Sequence, residues 1–462
     1  MVSRGGGVDT EDLTPWPPSL RGKGEAAPLS SQERGWGEVK GSHMDSQQLA
    51  IHGGPPYRAR PFATVANASG RWLGEEEKRL LVEVIDSGSL NRNDGAKVAA
   101  LERAWAEMLG GAPLAAQAVT SGTAALHTAV AALNLEPGDE IITTTITDMG
   151  TVIAILACNL VPTFADVDPR TGAITAATIA AQISPKTRAI IVVHLFGQTA
   201  DMAPILALAR QHDLYVIEDC AQAHLAAYRG QLAGTLGDLG CFSFQQSKQM
   251  TTGDGGLVVT RNEALATRVK LFTDKGWPRG IPGLRGHLFF GMNYRMTELQ
   301  GAVGLAQAGK LAEIVAQRRR TAGLLRQLVA DIPGLIPPHI LSGADHAWWM
   351  FPFTIDQARL GVSPQAFGQA IKAEGLPFGV GYIPNPVFEY DVIRDRKTFG
   401  ASGIPWTLPQ ARPGITYDRR DYPGTLRFLD EVFVMSWNEG LTEADARDIA
   451  GALAKVAGYY YA

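Results

Sequence analysis

The chain has 462 residues, 45% hydrophobic and 19% charged, with 42 Lys and Arg against 46 Asp and Glu for a net charge of −4. That balance is globular, with length for two or three domains, and it argues against a nucleic-acid binder relying on a broad basic surface. No apolar run reaches the ~18 residues of a membrane span, and Cys158, Cys220 and Cys241 show neither paired nor metal-ligand spacing, which fits a reduced, cytoplasmic protein with no metal site.

Residues 1–45 are rich in Gly, Pro and Ser and nearly free of apolar periodicity, so they read as a disordered extension. Gly41-Ser42-His43-Met44 resembles a cloning scar, and Met44 is a plausible true start. From residue 75 the pattern is regular. Glu75–Ser87 and Lys97–Leu109 have apolar residues at helical spacing. Short apolar runs follow at Ala115–Val119, Glu140–Thr144, Thr163–Ala165, Ala189–Val193 and Leu214–Ile217, and they read as buried strands. The segments between them, Thr123–Leu133, Gly150–Cys158, Ala176–Ile183 and Asp201–His212, read as helices. This alternation predicts an α/β fold with a mainly parallel sheet covered on both faces. Cys241–Phe244 and Gly256–Val259 add a hairpin around Gly253-Asp254-Gly255. Thr297–Ala330 is a long helix whose Arg318-Arg319-Arg320 run reads as a solvated face. Beyond about residue 335 the pattern becomes α+β and ends in a helix over Glu443–Val456. The expected division is a large α/β domain over 46–325, including the N-terminal helices, and a smaller one over 326–462.

Three elements could carry chemistry. Ser121-Gly122-Thr123 ends a strand and opens a helix, which suits an anion as well as a simple helix cap. Asp219 and His224, in Glu218-Asp219-Cys220-Ala221-Gln222-Ala223-His224, follow a buried strand at the end where α/β folds gather ligands; a capping Asp would look the same. Lys248 follows another strand, in Phe242-Ser243-Phe244-Gln245-Gln246-Ser247-Lys248, and is either a surface charge or an amine nucleophile. Their order is what a pyridoxal phosphate site requires: a helix start for the phosphate, a carboxylate for the ring nitrogen, a lysine for the aldehyde. Asp219 and Lys248 stand 29 positions apart, enough for one strand-turn-strand excursion.

At these motifs the chain resembles the DegT/StrS family of pyridoxal-phosphate sugar and cyclitol aminotransferases, which have the aspartate-aminotransferase fold, type I. The likeness spans roughly residues 50–455. It is strongest at 161–168, at Val193-His194-Leu195-Phe196-Gly197-Gln198, at 218–224, at 237–248, and at Met292-Asn293-Tyr294-Arg295-Met296. The resemblance implies a large pyridoxal-phosphate-binding domain built on a sheet of the seven-stranded type. It implies that Lys248 forms the Schiff base and moves the proton, that Asp219 meets the pyridine nitrogen, and that Gln222 lies near the ring 3-oxygen. Gly122, Thr123 and Ser243 would hold the phosphate. Asn293 would reach the neighbouring subunit's phosphate, making a homodimer with active sites at the subunit interface. His194 and His224 would lie near the site, and Arg295 would meet a substrate carboxylate or form an internal ion pair.

Many family members stack an aromatic residue on the cofactor where Asp148 and Met149 stand here. Met149 can offer a thioether contact to the ring instead, and Asp148 can face the substrate. The presence of Lys248 favours transamination over the dehydratases of the family, which lack it. The basic segments Arg394–Lys397 and Arg419-Arg420 suit a phosphate or a solvated loop, and Trp348-Trp349 suits core packing. The resulting expectation is an aminotransferase that moves an amino group from glutamate or glutamine to a nucleotide-linked keto-sugar or a cyclitol ketone. A pyridoxal-phosphate lyase and a non-catalytic regulator of the same fold are the alternatives.

Overall fold

The structure is a computed structural model that describes residues 48–279 and 282–461. The expected N-terminal extension, residues 1–45, lies outside the described residues.

Seven strands form the central sheet: β1 Ala115–Val119, β2 Glu140–Thr144, β3 Val161–Ala165, β4 Thr187–Val193, β5 Tyr215–Asp219, β6 Leu239–Ser243 and β7 Gly256–Thr260. Their order is β1-β7-β6-β5-β4-β2-β3. β2 pairs in parallel with β3 and β4, β4 with β5, and β5 with β6. β7 alone runs against its neighbours β6 and β1. The expected α/β architecture with a mainly parallel sheet is therefore correct. The interior strands are continuous Ile, Val and Leu runs because both faces are covered; β2, β3, β6 and β7 are buried at every position. β3 begins two residues earlier than predicted and contains Pro162 opposite Ile141. Its place at the end of the sheet explains this, since an edge strand tolerates the missing N–H.

The covering helices are α1 Glu75–Ser87, α2 Lys97–Met108, α3 Gly122–Ala132, α4 Met149–Ala157, α5 Ala176–Ala180, α6 Met202–Gln211 and α7 Glu263–Phe272. α8, Glu298–Ala330, is 33 residues long and spans about 50 Å at 1.5 Å per residue. Thr297 caps it, accepting from Gln300 N while the Gln300 side chain accepts from Thr297 N. α8 packs on α1 and α2 and also on the C-terminal helix Glu443–Tyr461.

A second, antiparallel sheet follows: β8 Leu335–Ile336, β9 Met350–Ile355, β10 Gly379–Val380 and β11 Phe433–Ser436, in the order β8-β9-β11-β10. β9 alternates between buried and half-buried positions, and Phe351, Phe353, Phe433 and Trp437 join the core beneath it. Among the described residues no helix is long and apolar enough to cross a membrane.

The reading of Arg318-Arg319-Arg320 as a solvated face fails. Arg318 is fully buried and donates to Glu439, the Trp437 carbonyl and the Trp348 carbonyl at 2.6, 2.6 and 3.2 Å. Arg319 donates to the His346 and Leu225 carbonyls. Only Arg320 is exposed. A charge triplet on a helix spreads over about 200° of its circumference, so part of it must face the core of a helix covered on several sides.

Candidate active site

The carboxyl ends of β1, β5 and β6 converge. β5 ends in Asp219, which is 5% exposed. Its two oxygens accept from the Thr151 hydroxyl at 2.8 Å and the Ala221 N–H at 3.1 Å. Thr151 in turn lies 2.7 Å from Thr147 Oγ1. Because the Thr151 proton goes to Asp219, Thr147 donates to Thr151, and a short relay fixes the carboxylate. Burial pushes the Asp219 carboxyl up, while these two hydrogen bonds and Lys248 oppose that rise.

Lys248 sits in the loop between β6 and β7. Its carbonyl accepts from Arg71 Nη1 at 2.6 Å. Its Nζ lies 4.2 Å from the centroid of the Trp349 ring. Burial lowers its pKa to about 8, against the pull of Asp219 and then Asp148. The site therefore holds a lysine that is partly neutral near neutrality, as an amine nucleophile or base requires.

Ser121 caps α3, accepting from Ala124 N at 3.0 Å. A Cβ on Gly122 would lie 2.6 Å from Ser243 Cβ and 2.9 Å from its Oγ. Gly122 is thus what lets the start of α3 close onto the end of β6. A Cβ on Gly150 would lie 2.7 Å from Thr123 Oγ1, so the N-termini of α3 and α4 also meet here. Two helix starts, a serine hydroxyl and an exposed Thr123 make a cradle for a phosphate group.

Gln222 is buried between these features and the second sheet. Its Oε1 accepts from Phe196 N at 2.8 Å and its Nε2 donates to the Tyr382 hydroxyl at 3.0 Å. One amide hydrogen remains to donate to an oxygen in the site. A phosphate cradle, a buried carboxylate and a low-pKa lysine, each on a different strand end, match the three functional groups of pyridoxal phosphate.

The remaining sequence candidates divide. Asp148 caps α4, accepting from Gly150 N at 2.8 Å, and is exposed toward the Lys248 side, where it helps push Tyr382 and Tyr390 up. Met149 is half-buried against the cluster of Val387, Phe388 and Trp406. Arg295 is ion-paired with Asp274, which also holds Arg279; of its two expected roles the structure has the internal pair. Asn293 is exposed, on a segment bridged to Asp274.

His194 is fully buried, and both ring nitrogens are occupied. Nδ1 accepts from Ala200 N, so Nε2 carries the proton and donates to Glu218 at 2.9 Å. Glu218 also accepts from the N–H groups of Gly234, Leu236 and Gly237. The ligating atoms of His194, Glu218 and Cys220 lie within 4.8 Å of one another, but these bonds already fill the first two. This knot holds the end of β5 and offers no nitrogen to a substrate. His224 is caged by Trp105, Phe242 and Phe244, with ring centroids 5.6–5.9 Å away. Burial first, then the Lys248 charge, pushes it down to about 3, so it is neutral.

Sequence reasoning missed Thr151, Arg71 and Tyr382, and it gave Trp348 and Trp349 to core packing, where both lie. Trp349 is 7% exposed, yet its ring faces Lys248 and its Nε1 donates to the Ser247 carbonyl at 2.8 Å. The tandem tryptophans were the one signal available.

This sheet, with a lysine and an aspartate at the ends of neighbouring strands, has the architecture of the fold-type-I aminotransferases, and solved structures share it across nearly the whole chain. The aminotransferase from Psychrobacter cryohalolentis is 30% identical with a TM-score of 0.72, covering 85% of this chain and 98% of its own. The structure of DesI in the presence of its TDP-sugar product has a TM-score of 0.73 at 27% identity, covering 88% and 96%. The model of the DegT/DnrJ/EryC1/StrS aminotransferase family matches residues 72–412, and the chain belongs to that family. It is a pyridoxal-phosphate-dependent aminotransferase of the sugar aminotransferase group. Among curated relatives, a GDP-perosamine synthase of Caulobacter vibrioides is 34% identical over 367 residues, 78% of this chain and 96% of that protein. A putative L-glutamine:3-amino-2,3-dideoxy-scyllo-inosose aminotransferase of Streptoalloteichus tenebrarius is 37% identical over 392 residues, 82% of this chain and 89% of that protein.

Proposed function

We propose that the protein takes an amino group from glutamine or glutamate and delivers it to a ring ketone, on either a nucleotide-linked sugar or a cyclitol. The observation that carries this reading is the pairing of Lys248 with Asp219 at the ends of adjacent strand systems, each feeling the other's charge. The names of the relatives support the donor and both acceptor classes.

Bound pyridoxal phosphate would supply an electron sink and a carrier for the amine. The chain's own residues do the rest. Asp219, fixed by Thr151 and Ala221, holds a proton on the ring nitrogen. The N–H groups at Gly122 and Thr123 and the Ser243 hydroxyl bind the phosphate, and Gln222 donates to the ring oxygen. Lys248 Nζ would hold the cofactor's aldehyde carbon, and its amine, when free, would serve as the base that moves the proton at the substrate carbon. Met149 would offer its thioether to the ring and Asp148 would face the substrate. Asn293 reaches the phosphate of a second copy, which makes the working unit a homodimer. Residues 46–325 act as the cofactor domain and 326–462 as the smaller domain that shapes the acceptor site.

The deciding experiment is the visible absorption of the protein with pyridoxal phosphate, before and after L-glutamine or L-glutamate, beside Lys248→Ala. A visible band in the wild type alone, bleached by one donor, is expected. A band that persists in Lys248→Ala would overturn the assignment of the lysine. Amine formation is then followed by mass spectrometry with a GDP-linked keto-hexose and with an inosose, and turnover of neither would overturn the acceptor class.

A further inference from the structure

The lysine of such a site spends part of every cycle free, and a free ammonium in a buried site needs a partner. Asp219 is held by Thr151 and Ala221. The group actually in contact with Lys248 Nζ is the face of Trp349, 4.2 Å from the ring centroid. An ammonium over an indole face is attracted by the ring quadrupole, the more so when water is excluded.

Trp349 is held with unusual care. Its Nε1 donates to the carbonyl of Ser247, the residue before the lysine, at 2.8 Å. Its N–H donates to the Phe196 carbonyl at 2.8 Å and its carbonyl accepts from Trp437 N at 3.0 Å. The turn that delivers it is strained: Trp348 has φ 47° and Phe196, across from it, φ 59°. Arg318 pins that turn through the Trp348 carbonyl and pins the end of β11 through the Trp437 carbonyl. Glu439, paired with Arg318, also faces Arg71 at 3.4 Å, and Arg71 grips the Lys248 carbonyl. One buried cluster thus fixes the lysine's backbone and the ring beneath its amine together.

We propose that Trp349 is a positioning residue of the aminotransferase: its indole face receives Lys248 Nζ as an ammonium whenever the lysine is free of the cofactor, and the Arg71–Glu439–Arg318 cluster keeps ring and lysine in register. This rests on the assignment of Lys248 above. The charged and titratable groups that face Lys248 are Asp219, Asp148 and His224 at its amine and Arg71 at its carbonyl, and a substitution at 349 alters none of these side chains.

The test is made on the full chain loaded with pyridoxamine 5′-phosphate, in which the lysine is free. Acetylation of Lys248 by a trace of acetic anhydride is read by mass spectrometry as a function of pH. Trp349→Leu removes the ring's favour for the charged amine. Its midpoint is expected to fall by about half a pH unit, roughly a threefold rise in reactivity at a fixed pH below it. Trp349→Phe keeps a ring and is expected to restore most of the difference. Fluorinated tryptophans placed at 349 keep the shape and the N–H while weakening the quadrupole, so the midpoint should fall stepwise with each fluorine, even where Trp349→Leu does not fold. Fluorinated and Leu variants with the wild-type midpoint overturn the proposal, as does a Phe variant as low as Leu. Failure of borohydride to fix pyridoxal phosphate onto Lys248 would instead sink the lysine's assignment, and it is read independently of these midpoints.

Discussion

Asp219 shows what a single carboxylate needs in order to work inside a protein. Burial alone would leave it neutral and useless to a pyridinium; the Thr151 hydroxyl and the Ala221 N–H favour its charged form. Asp219→Asn is therefore expected to keep the lysine attachment but slow the first half-reaction by a hundredfold or more, about 3 kcal/mol of barrier, measured by rapid-mixing absorbance with L-glutamine. Thr151→Val removes one bond to the carboxylate and is expected to cost about 1 kcal/mol of cofactor affinity, seen as a several-fold weaker titration with pyridoxal phosphate. The lysine and aspartate were legible in the chain because their order along successive strands mirrors the cofactor's chemistry. Thr151 was not, because it meets Asp219 from 68 positions away. Trp349 reaches Ser247 across 102 positions. Such partners are chosen by the folded sheet and leave no local pattern.

Elements were more legible than side chains. Strands β1 and β2 lie where apolar runs put them, and most other ends moved by one or two residues, as fraying of terminal turns explains. α5 stops at Ala180, three residues short of expectation. The failure that mattered was α8, whose arginine triplet was assigned to water although the helix is wrapped by α1, α2 and the C-terminal helix. Periodicity reports one apolar face well and a helix covered on several sides badly. The start of α3 gives a sharp test at this scale. Gly122→Ala forces Cβ to within 2.6 Å of Ser243 Cβ, and overpacking of this kind typically costs about 1–3 kcal/mol. Its expected signature is a pyridoxal phosphate affinity weakened at least tenfold with a lowered melting temperature. Gly309, on an exposed turn of α8 with nothing within 4 Å of an added Cβ, is the counterpart. Gly309→Ala should raise stability by up to about 1 kcal/mol in a denaturant melt, with the affinity unchanged.

For the whole molecule, two buried histidines contribute to the response to acid. His224 and His346 are both pushed down to about 3, by burial first. The unfolded chain binds protons on them near their ordinary 6.5, whereas the folded chain does not. Unfolding between these values takes up protons, so stability falls as pH drops from about 6.5 toward 3, by about 1.4 kcal/mol per pH unit for each histidine. His224→Phe should flatten that slope by one proton in denaturant midpoints taken across the window; an unchanged slope would show that the ring is already protonated in the fold. Association is the other property of this scale. Phe290 is 79% exposed, with Leu284 and Leu288 each 46% exposed beside it, more apolar surface than one short stretch usually leaves in water. On the homodimer proposed above, Phe290→Asp is expected to lower the association state in sedimentation velocity and to weaken pyridoxal phosphate binding in parallel, since Asn293 lies three residues on.

The lone reversed strand, β7, has a consequence in time rather than in space. β1, which leads into the phosphate turn, packs on α2 but among the described residues pairs in the sheet with β7 alone, so its strand pairing waits until Gly256–Thr260 has left the ribosome. The segment that starts the site is made early and seated late, and by then Asp219 and Lys248 have already emerged. A nascent chain arrested before residue 256 should hold lysine and aspartate without a cradle for the phosphate, and cofactor capture should appear abruptly once β7 is released.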